Sequence, residues 1–139
     1  MINIMRDPRW GRTYETFSED PYLTSSMGVA EIDGIQSQGV IAEAKHIGAY
    51  QQEYARTQLN SVVSRRALEE DYQAPFQAAV QQAHVGAIMA AADYTNGVYD
   101  NADPLLLSQD AKTDWGFNGF FTSDWDGANS LGAMEAGWT

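Results

Sequence analysis

The amino-acid sequence predicts an α/β fold with parallel strands: about four strand-then-helix units in succession, a partial (β/α)8 TIM-type barrel or a small open α/β sheet. Three observations lead there. Short apolar runs alternate with helical patterns along 139 residues, and that alternation implies parallel strands joined by right-handed crossovers. The runs are apolar nearly throughout, as expected when both faces of a sheet are covered. Polar and charged residues gather directly after each run, at Arg6-Asp7, Lys45-His46, Asp93 and Asp124, along the edge where barrel active sites form. A complete barrel takes eight such units and about 250 residues, so half of that set is expected.

Each element has a local reason. Residues 2–5 are a short apolar strand stopped by Arg6-Asp7-Pro8. Asp20-Pro21 supplies an N-cap acceptor and a proline at the first helical position. Leu23, Met27, Ala30 and Gly34 then fall on one face, with Gly39 at the stop. Residues 40–44 form the second strand, ending at Lys45-His46. The polar connection over 47–63 is long, and loops of that length in compact domains tend to be functional. Leu68, Tyr72, Phe76, Ala79, Val80 and Ala83 mark a second helical region, which Pro75 kinks or splits. Residues 86–92 are the third strand, before a turn at Thr95-Asn96-Gly97. Asp103-Pro104 repeats the cap-and-proline start ahead of a helix over 105–113. Residues 119–123 are the fourth strand, and 128–136 begin a last helix.

An apolar fraction of 44% and an aromatic fraction of 12% describe a chain that can bury a core. Eight basic residues against nineteen acidic ones give a net charge of -11. That charge repels phosphate backbones and anionic surfaces, so neither nucleic acid nor membrane is expected as a partner. The absence of cysteine removes disulfides and thiolate chemistry. The first residues make no signal peptide, because a charge interrupts a short apolar run. No stretch approaches the roughly eighteen apolar residues of a membrane span, and the compartment is left open. No metal and no cofactor are expected. His46 and His84 share no ligand spacing, and the stretch from Asp93 to Asp103 lacks the alternation of a calcium loop and reads as turns. There is no Gly-rich phosphate loop and no nucleophile elbow.

The most informative stretch is Phe120-Phe121-Thr122-Ser123-Asp124-Trp125. A strand of aromatic and β-branched residues is driven to burial. This one delivers a carboxylate and an indole at its tip, where Asp126-Gly127 turns the chain. Asp124 can be read as a cap for the helix that follows, but Asp126 suits that role better and leaves Asp124 for a pocket. Sugar cleavage needs both groups: a carboxylate to meet the positive charge growing at the anomeric carbon, and an aromatic face to hold the ring. Lys45-His46 reads either as a solvated lysine beside a satisfied histidine or, from its place at a strand exit, as a pair of donors for adjacent sugar hydroxyls. Arg6, Arg9 and Arg12 read either as surface partners of Glu15, Glu19 and Asp20, each weak, or as guanidinium forks suited to neighbouring oxygens.

In order and spacing these motifs resemble glycoside hydrolase family 3, the family of β-glucosidases and β-xylosidases. Arg6-Asp7-Pro8-Arg9-Trp10-Gly11-Arg12, then Glu15 and Ser18-Glu19-Asp20-Pro21-Tyr22, is similar to the family's signature after its third barrel strand. Lys45-His46 resembles its sugar-gripping pair, and Glu53 with Arg56 fits the loop that follows. Trp115-Gly116-Phe117-Asn118-Gly119-Phe120 leading to Ser123-Asp124-Trp125 resembles the segment that presents the nucleophile. The resemblance covers nearly the whole chain. It implies one partial barrel domain over 1–139, incomplete at both ends relative to the family, acting on a β-linked glucoside or oligosaccharide by a retaining mechanism. Asp124 would be the nucleophile. Arg12, Lys45 and His46 would hold sugar hydroxyls, Arg56 would brace the nucleophile's side of the pocket, and Trp125 would contact the sugar or its leaving group.

Three departures from the family's pattern bear on that expectation. Ala92, three residues after Met89, stands where the family has an aromatic, so one wall of the pocket is missing unless Tyr94 fills it. The acid/base Glu of the β-glucosidase type comes from a later domain, and a further sugar-binding Asp lies upstream. The isolated chain is therefore expected to be weakly active or inactive. The alternative is a non-catalytic carbohydrate-binding half-barrel, whose open strand edges are covered by self-association or by a missing C-terminal domain. The Asp-x-His acid/base of the family's N-acetylglucosaminidase branch is not expected, because 47–63 contains no histidine.

Overall fold

The computed structural model describes residues 1–125, 127 and 136. In chain order the elements are α1 (Pro21–Gln36), β1 (Glu43–Ile47), β2 (Asn60–Ser61), α2 (Arg65–Ala67), α3 (Ala74–Gln81), β3 (Ala87–Ala90), β4 (Tyr94–Thr95), β5 (Val98–Tyr99) and β6 (Phe120–Ser123). β1, β3 and β6 form a parallel sheet in that order, with Ala44 opposite Ile88 and Ile88 opposite Phe121. Helical chain connects each of these strands to the next, as the alternating pattern predicts. A second small sheet pairs β2 parallel with β4 and β4 antiparallel with β5.

The first predicted strand is extended chain without a ladder of its own. Ile2 N donates to Lys45 O at 3.1 Å. Beyond that the Asn3 side chain replaces the backbone, with Nδ2 donating to His46 O at 2.8 Å and Oδ1 accepting from His46 N at 2.7 Å. Helix α1 starts where Asp20 and Pro21 predict, with Asp20 Oδ1 accepting from the amides of Tyr22 at 2.8 Å and Leu23 at 3.4 Å. Asp20→Ala should cost about 1 kcal/mol, read as an earlier midpoint in denaturant. The buried stripe of α1, however, is Thr24, Gly28 and Ile32, while Leu23, Met27, Ala30 and Gly34 face outward. Gly28 decides this facing by letting Ile2 approach, since a Cβ there would stand 3.0 Å from Ile2 Cγ2.

Strand β1 begins three residues later than the apolar run suggests. Val40 and Ile41 are 58% and 62% exposed, and the sheet takes Glu43 to Ile47 instead. Here an exposed Glu43, a buried Ala44, a half-buried Lys45 and a buried His46 alternate as a strand requires. Lys45 and His46 therefore lie inside the strand rather than after it. The register shifts between Lys45 and Ile47, and the Lys45-His46 peptide is cis.

Pro75 splits the second helical region as expected. Chain of π-helical winding over Leu68–Tyr72 precedes α3, whose first turn holds the proline. Leu68, Tyr72, Phe76, Ala79, Val80 and Ala83 are all buried in the main core with Ile2, Ile4, Ile32, Ile88 and Phe121. The turn between β4 and β5 has Asn96 at φ 53° and Gly97 at φ 86°, the two positive values that a tight hairpin demands. Asp103 Oδ1 accepts from Leu105 N at 2.8 Å and opens a π-wound helix over Leu105–Asp114. The helix predicted over 128–136 and the capping role of Asp126 lie outside the described residues.

Candidate active site

The sheet brings three chain exits to one edge. β1 leads into Gly48-Ala49-Tyr50, β3 into Ala91-Ala92-Asp93, and β6 into Asp124-Trp125. Asp124 stays attached to the sheet one residue past β6, because its amide donates to Ala90 O at 3.1 Å. Its side chain is 5% exposed as a residue. Oδ1 accepts from Trp125 N at 2.8 Å. Oδ2 lies 3.1 Å from Arg56 Nη1 and 3.6 Å from His46 Nε2.

His46 is buried, and its Nδ1 has no hydrogen-bond partner among the described residues. Burial, opposed by the Asp124 charge, lowers its pKa from 6.5 to about 3. The imidazole is accordingly neutral at neutral pH and can donate one proton and accept another. The Tyr50 ring packs edge-on against it at 5.0 Å and against Trp10 at 5.6 Å.

The long loop after β1 supplies the guanidinium. Arg56 Nη1 donates to Tyr50 Oη at 3.0 Å while facing Asp124. Tyr50 Oη donates to Glu53 Oε1 at 2.6 Å, and Trp10 Nε1 donates to the same oxygen at 3.0 Å. Tyr50 is thus the hub that holds Arg56 in place. Burial and its bond to Glu53 raise its phenol pKa.

Arg12 grips Glu15 with two 2.8 Å bonds, Nε to Oε1 and Nη2 to Oε2, and also hydrogen-bonds Tyr50. That grip holds the Glu15 carboxyl at about 2. Arg12, Lys45 and Arg56 all bear on His46 electrostatically. The structure therefore gathers Arg12, Lys45, His46, Arg56 and Asp124 on one edge. Trp125 stands beside them with its side chain out in solvent, 80% exposed.

The arginine set divides. Arg9 pairs with Asp7 at the surface and Arg6 bonds Tyr72 Oη, so of the three it is Arg12 that reaches the site. Tyr94, the candidate to fill the wall left by Ala92, packs against Tyr99 with ring centroids 5.1 Å apart, and burial, Tyr94 and then Asp124 raise the Tyr99 phenol pKa.

Sequence reasoning overlooked Tyr50, Tyr99 and the role of Gly48. Gly48 has φ 126°, and a Cβ on it would collide with the Asp100 carboxyl. Gly48→Ala should cost on the order of 2–3 kcal/mol, visible as a lower melting temperature. The signal was present as a glycine directly after Lys45-His46-Ile47, where chain leaving a strand must bend close to other backbone.

A parallel α/β sheet whose strand exits collect a buried carboxylate, a neutral imidazole and guanidinium groups has the site architecture of a barrel hydrolase. The model of the glycosyl hydrolase family 3 N-terminal domain matches residues 1–136, and the chain belongs to that family. A β-glucosidase from Rhizobium radiobacter is 43% identical over 129 residues, 93% of this chain and 16% of that protein. Thermostable β-glucosidase B from Acetivibrio thermocellus is 41% identical over 136 residues, 97% of this chain and 18% of that protein. The structure of β-glucosidase 3B from Thermotoga neapolitana in complex with glucose superimposes with a TM-score of 0.95 at 39% identity, over 98% of this chain and 19% of that one. The chain thus spans less than a fifth of the length of these relatives, and its neighbours carry it as part of a (β/α) barrel.

Proposed function

We propose that this chain carries the nucleophile side of a retaining β-glucosidase site and takes β-linked glucosides. The observation that supports this best is the Asp124 carboxylate, buried at the exit of β6 with Oδ2 at 3.1 Å from Arg56 and 3.6 Å from His46. In this reading Asp124 attacks the anomeric carbon as the glycosidic C–O bond breaks, giving a covalent glucosyl-enzyme that water later opens. Arg12, Lys45 and the neutral His46 hold hydroxyls of the sugar, and the unpaired His46 Nδ1 gains a partner from one of them. Arg56, fixed by Tyr50, braces the carboxylate. Trp125 offers its exposed ring to the sugar or leaving group. Such grips provide the orientation on which the chemistry depends.

The leaving oxygen must also receive a proton. Near Asp124 the described carboxyls are Glu53, engaged by Trp10 and Tyr50, and the buried Asp93 and Asp100. The family's pattern puts the acid/base Glu in a later domain. Without general acid help the rate drops by about 10²–10⁴-fold, so the chain by itself turns over weakly or not at all. An aryl β-glucoside with an acidic phenol needs little such help. It should release up to one equivalent of phenol and leave a glucosyl group on Asp124, found by peptide mass spectrometry. A folded sample that gives neither product rules this reading out.

The second reading, a self-associating half-barrel without catalysis, draws on the apolar side chains left outward at Val40, Ile41, Leu23, Met27 and Phe120. Sedimentation of a sample that shows no adduct would distinguish a defined oligomer from a monomer.

A further inference from the structure

Among the described residues, two carboxyl groups behind Asp124 have no cation of their own. Asp93 closes the run leaving β3, and Asp100 follows the return strand β5. Both are 0% exposed. Their four carboxyl oxygens lack a well-aligned donor among the described residues. The Asp93 amide bears on its own carboxyl and the Thr95 hydroxyl on Asp100, while the side-chain group that bears most on each is the other carboxyl. The charges facing Asp93 are Asp100, Asp124 and Arg56, and Arg56 is already committed to Asp124 and Tyr50. Facing Asp100 are Asp93 and Asp103, with the Thr95 hydroxyl and the Gly48 backbone completing its surroundings. Two ionised carboxylates in contact, shut away from water, are not a sustainable arrangement. One proton between them makes it a short charge-assisted hydrogen bond.

We propose that Asp93 and Asp100 share a proton, forming a buried acid pair that docks the 94–99 hairpin against the loop following Lys45-His46 and so positions the wall behind Asp124. The pair sits where these segments meet. Asp100 N donates to Asp93 O at 3.0 Å, and Ala49 N donates to Thr95 Oγ1 at 3.1 Å. Asn101 Nδ2 donates to Ala91 O, and Gly48 leaves the space that the Asp100 carboxyl fills. Keeping a proton on the pair also leaves the Arg56 charge to Asp124. When the proton departs, two like charges repel across the contact, Asp124 adds a third, and the hairpin loosens from the sheet.

Burial raises both carboxyls of the pair above the ordinary carboxylate range, and the Asp93 charge raises Asp100 further. The folded chain therefore keeps a proton that the unfolded chain loses near pH 4. Stability falls as pH rises through that window and levels off once the folded pair has ionised. The folded-to-unfolded ratio changes about tenfold per pH unit for each retained proton.

The test follows unfolding from pH 4 to 9 for the wild type, Asp93→Asn, Asp100→Asn and the double variant. The double variant should match the wild type near pH 4, then gain on it by about 100-fold in the folded-to-unfolded ratio between pH 5 and 7. Above pH 7 the amides of Ala49 and Asp100 should exchange faster in the wild type than in the double variant. The infrared C=O band of a protonated carboxyl should be present in the wild type at pH 6 and absent from the double variant. A variant-to-wild-type difference that is constant across pH means packing alone and overturns the proposal. So does a missing acid band, or a wild-type stability at pH 7 that responds to calcium or to a chelator, which would make the pair a cation site. If the double variant does not fold, Asp93→Asn and the wild-type infrared spectrum decide. None of these readouts needs turnover, so their outcome is separate from that of the glycosidase reading.

Discussion

Asp124→Ala should abolish both the phenol burst and the glucosyl adduct while leaving a folded protein. Loss of a nucleophile in a hydrolase costs on the order of 10⁶ in kcat, so nothing above the background of the aryl glucoside should remain. The fold should tolerate the change because Arg56 is partly solvated and keeps Tyr50 at 3.0 Å and Glu53 at 3.8 Å. The lost pair is largely buried, with the Arg56 and Asp124 side chains 23% and 6% exposed. Its removal costs more than the roughly 1 kcal/mol or less of a surface pair, but it leaves the guanidinium with those two partners and with water. Asp124→Asn separates chemistry from shape more sharply. The amide oxygen can still accept from Trp125 N, which Asp124 Oδ1 does at 2.8 Å, yet an amide does not form the glycosyl ester. A burst that survives in either variant would place the nucleophile elsewhere and leave Asp124 as a structural carboxylate.

The electrostatics of the site run against those of the chain. The whole sequence carries a net charge of -11, yet Arg12, Lys45 and Arg56 converge on one neutral imidazole and one carboxylate. Each guanidinium is held by a second partner, Arg12 by Glu15 and Arg56 by Tyr50. They are positioned before any ligand arrives, so little side-chain order remains to be lost when a sugar binds. Lys45 is the freer of the three cations, since its strand fixes the backbone and leaves the stem to reach.

Much of this was legible in the sequence for identifiable reasons. β6 and Asp124 announce themselves because an aromatic run ending in threonine and serine pairs readily in a sheet, and the first charged residue after it must stand at the strand exit. Burial itself reaches mainly Phe121, since Phe120 is half exposed on this edge strand. Asp20-Pro21 and Asp103-Pro104 act through bonds to residues two or three away, and Asn96-Gly97 acts through its own positive φ values, so local chemistry reveals them. The face of α1 was not legible because its apolar residues form no clear stripe, and the choice fell to a glycine that admits Ile2. β1 was misplaced because hydrophobicity favours Val40 and Ile41, whereas pairing with β3 favours Glu43 to Ile47. Tyr50, Tyr99 and the contact of Asp93 with Asp100 depend on chain exits that meet only after folding, and six intervening residues give no hint that two aspartates touch.

Arg65→Met should be the most damaging of these changes to the fold, at about 3–5 kcal/mol. Asp110 is 1% exposed in the middle of the helix over Leu105–Asp114. Its carboxylate is satisfied by Arg65 Nη1 at 2.9 Å, Arg65 Nη2 at 2.5 Å and Gln73 Nε2 at 2.7 Å. Methionine keeps much of the stem's volume but removes the cation, leaving a buried charge with a single amide donor. Total stabilities of about 5–15 kcal/mol make that loss a large fraction of what holds the domain together. The damage should reach the site, because this helix feeds directly into β6 and sets where Asp124 emerges. Combining Arg65→Met with Asp110→Leu should recover most of the stability, since removing both partners leaves no unpaired charge. Denaturant unfolding of the two singles and the double measures this. A double variant no more stable than Arg65→Met would mean that arginine packing, rather than the buried carboxylate, carries the effect.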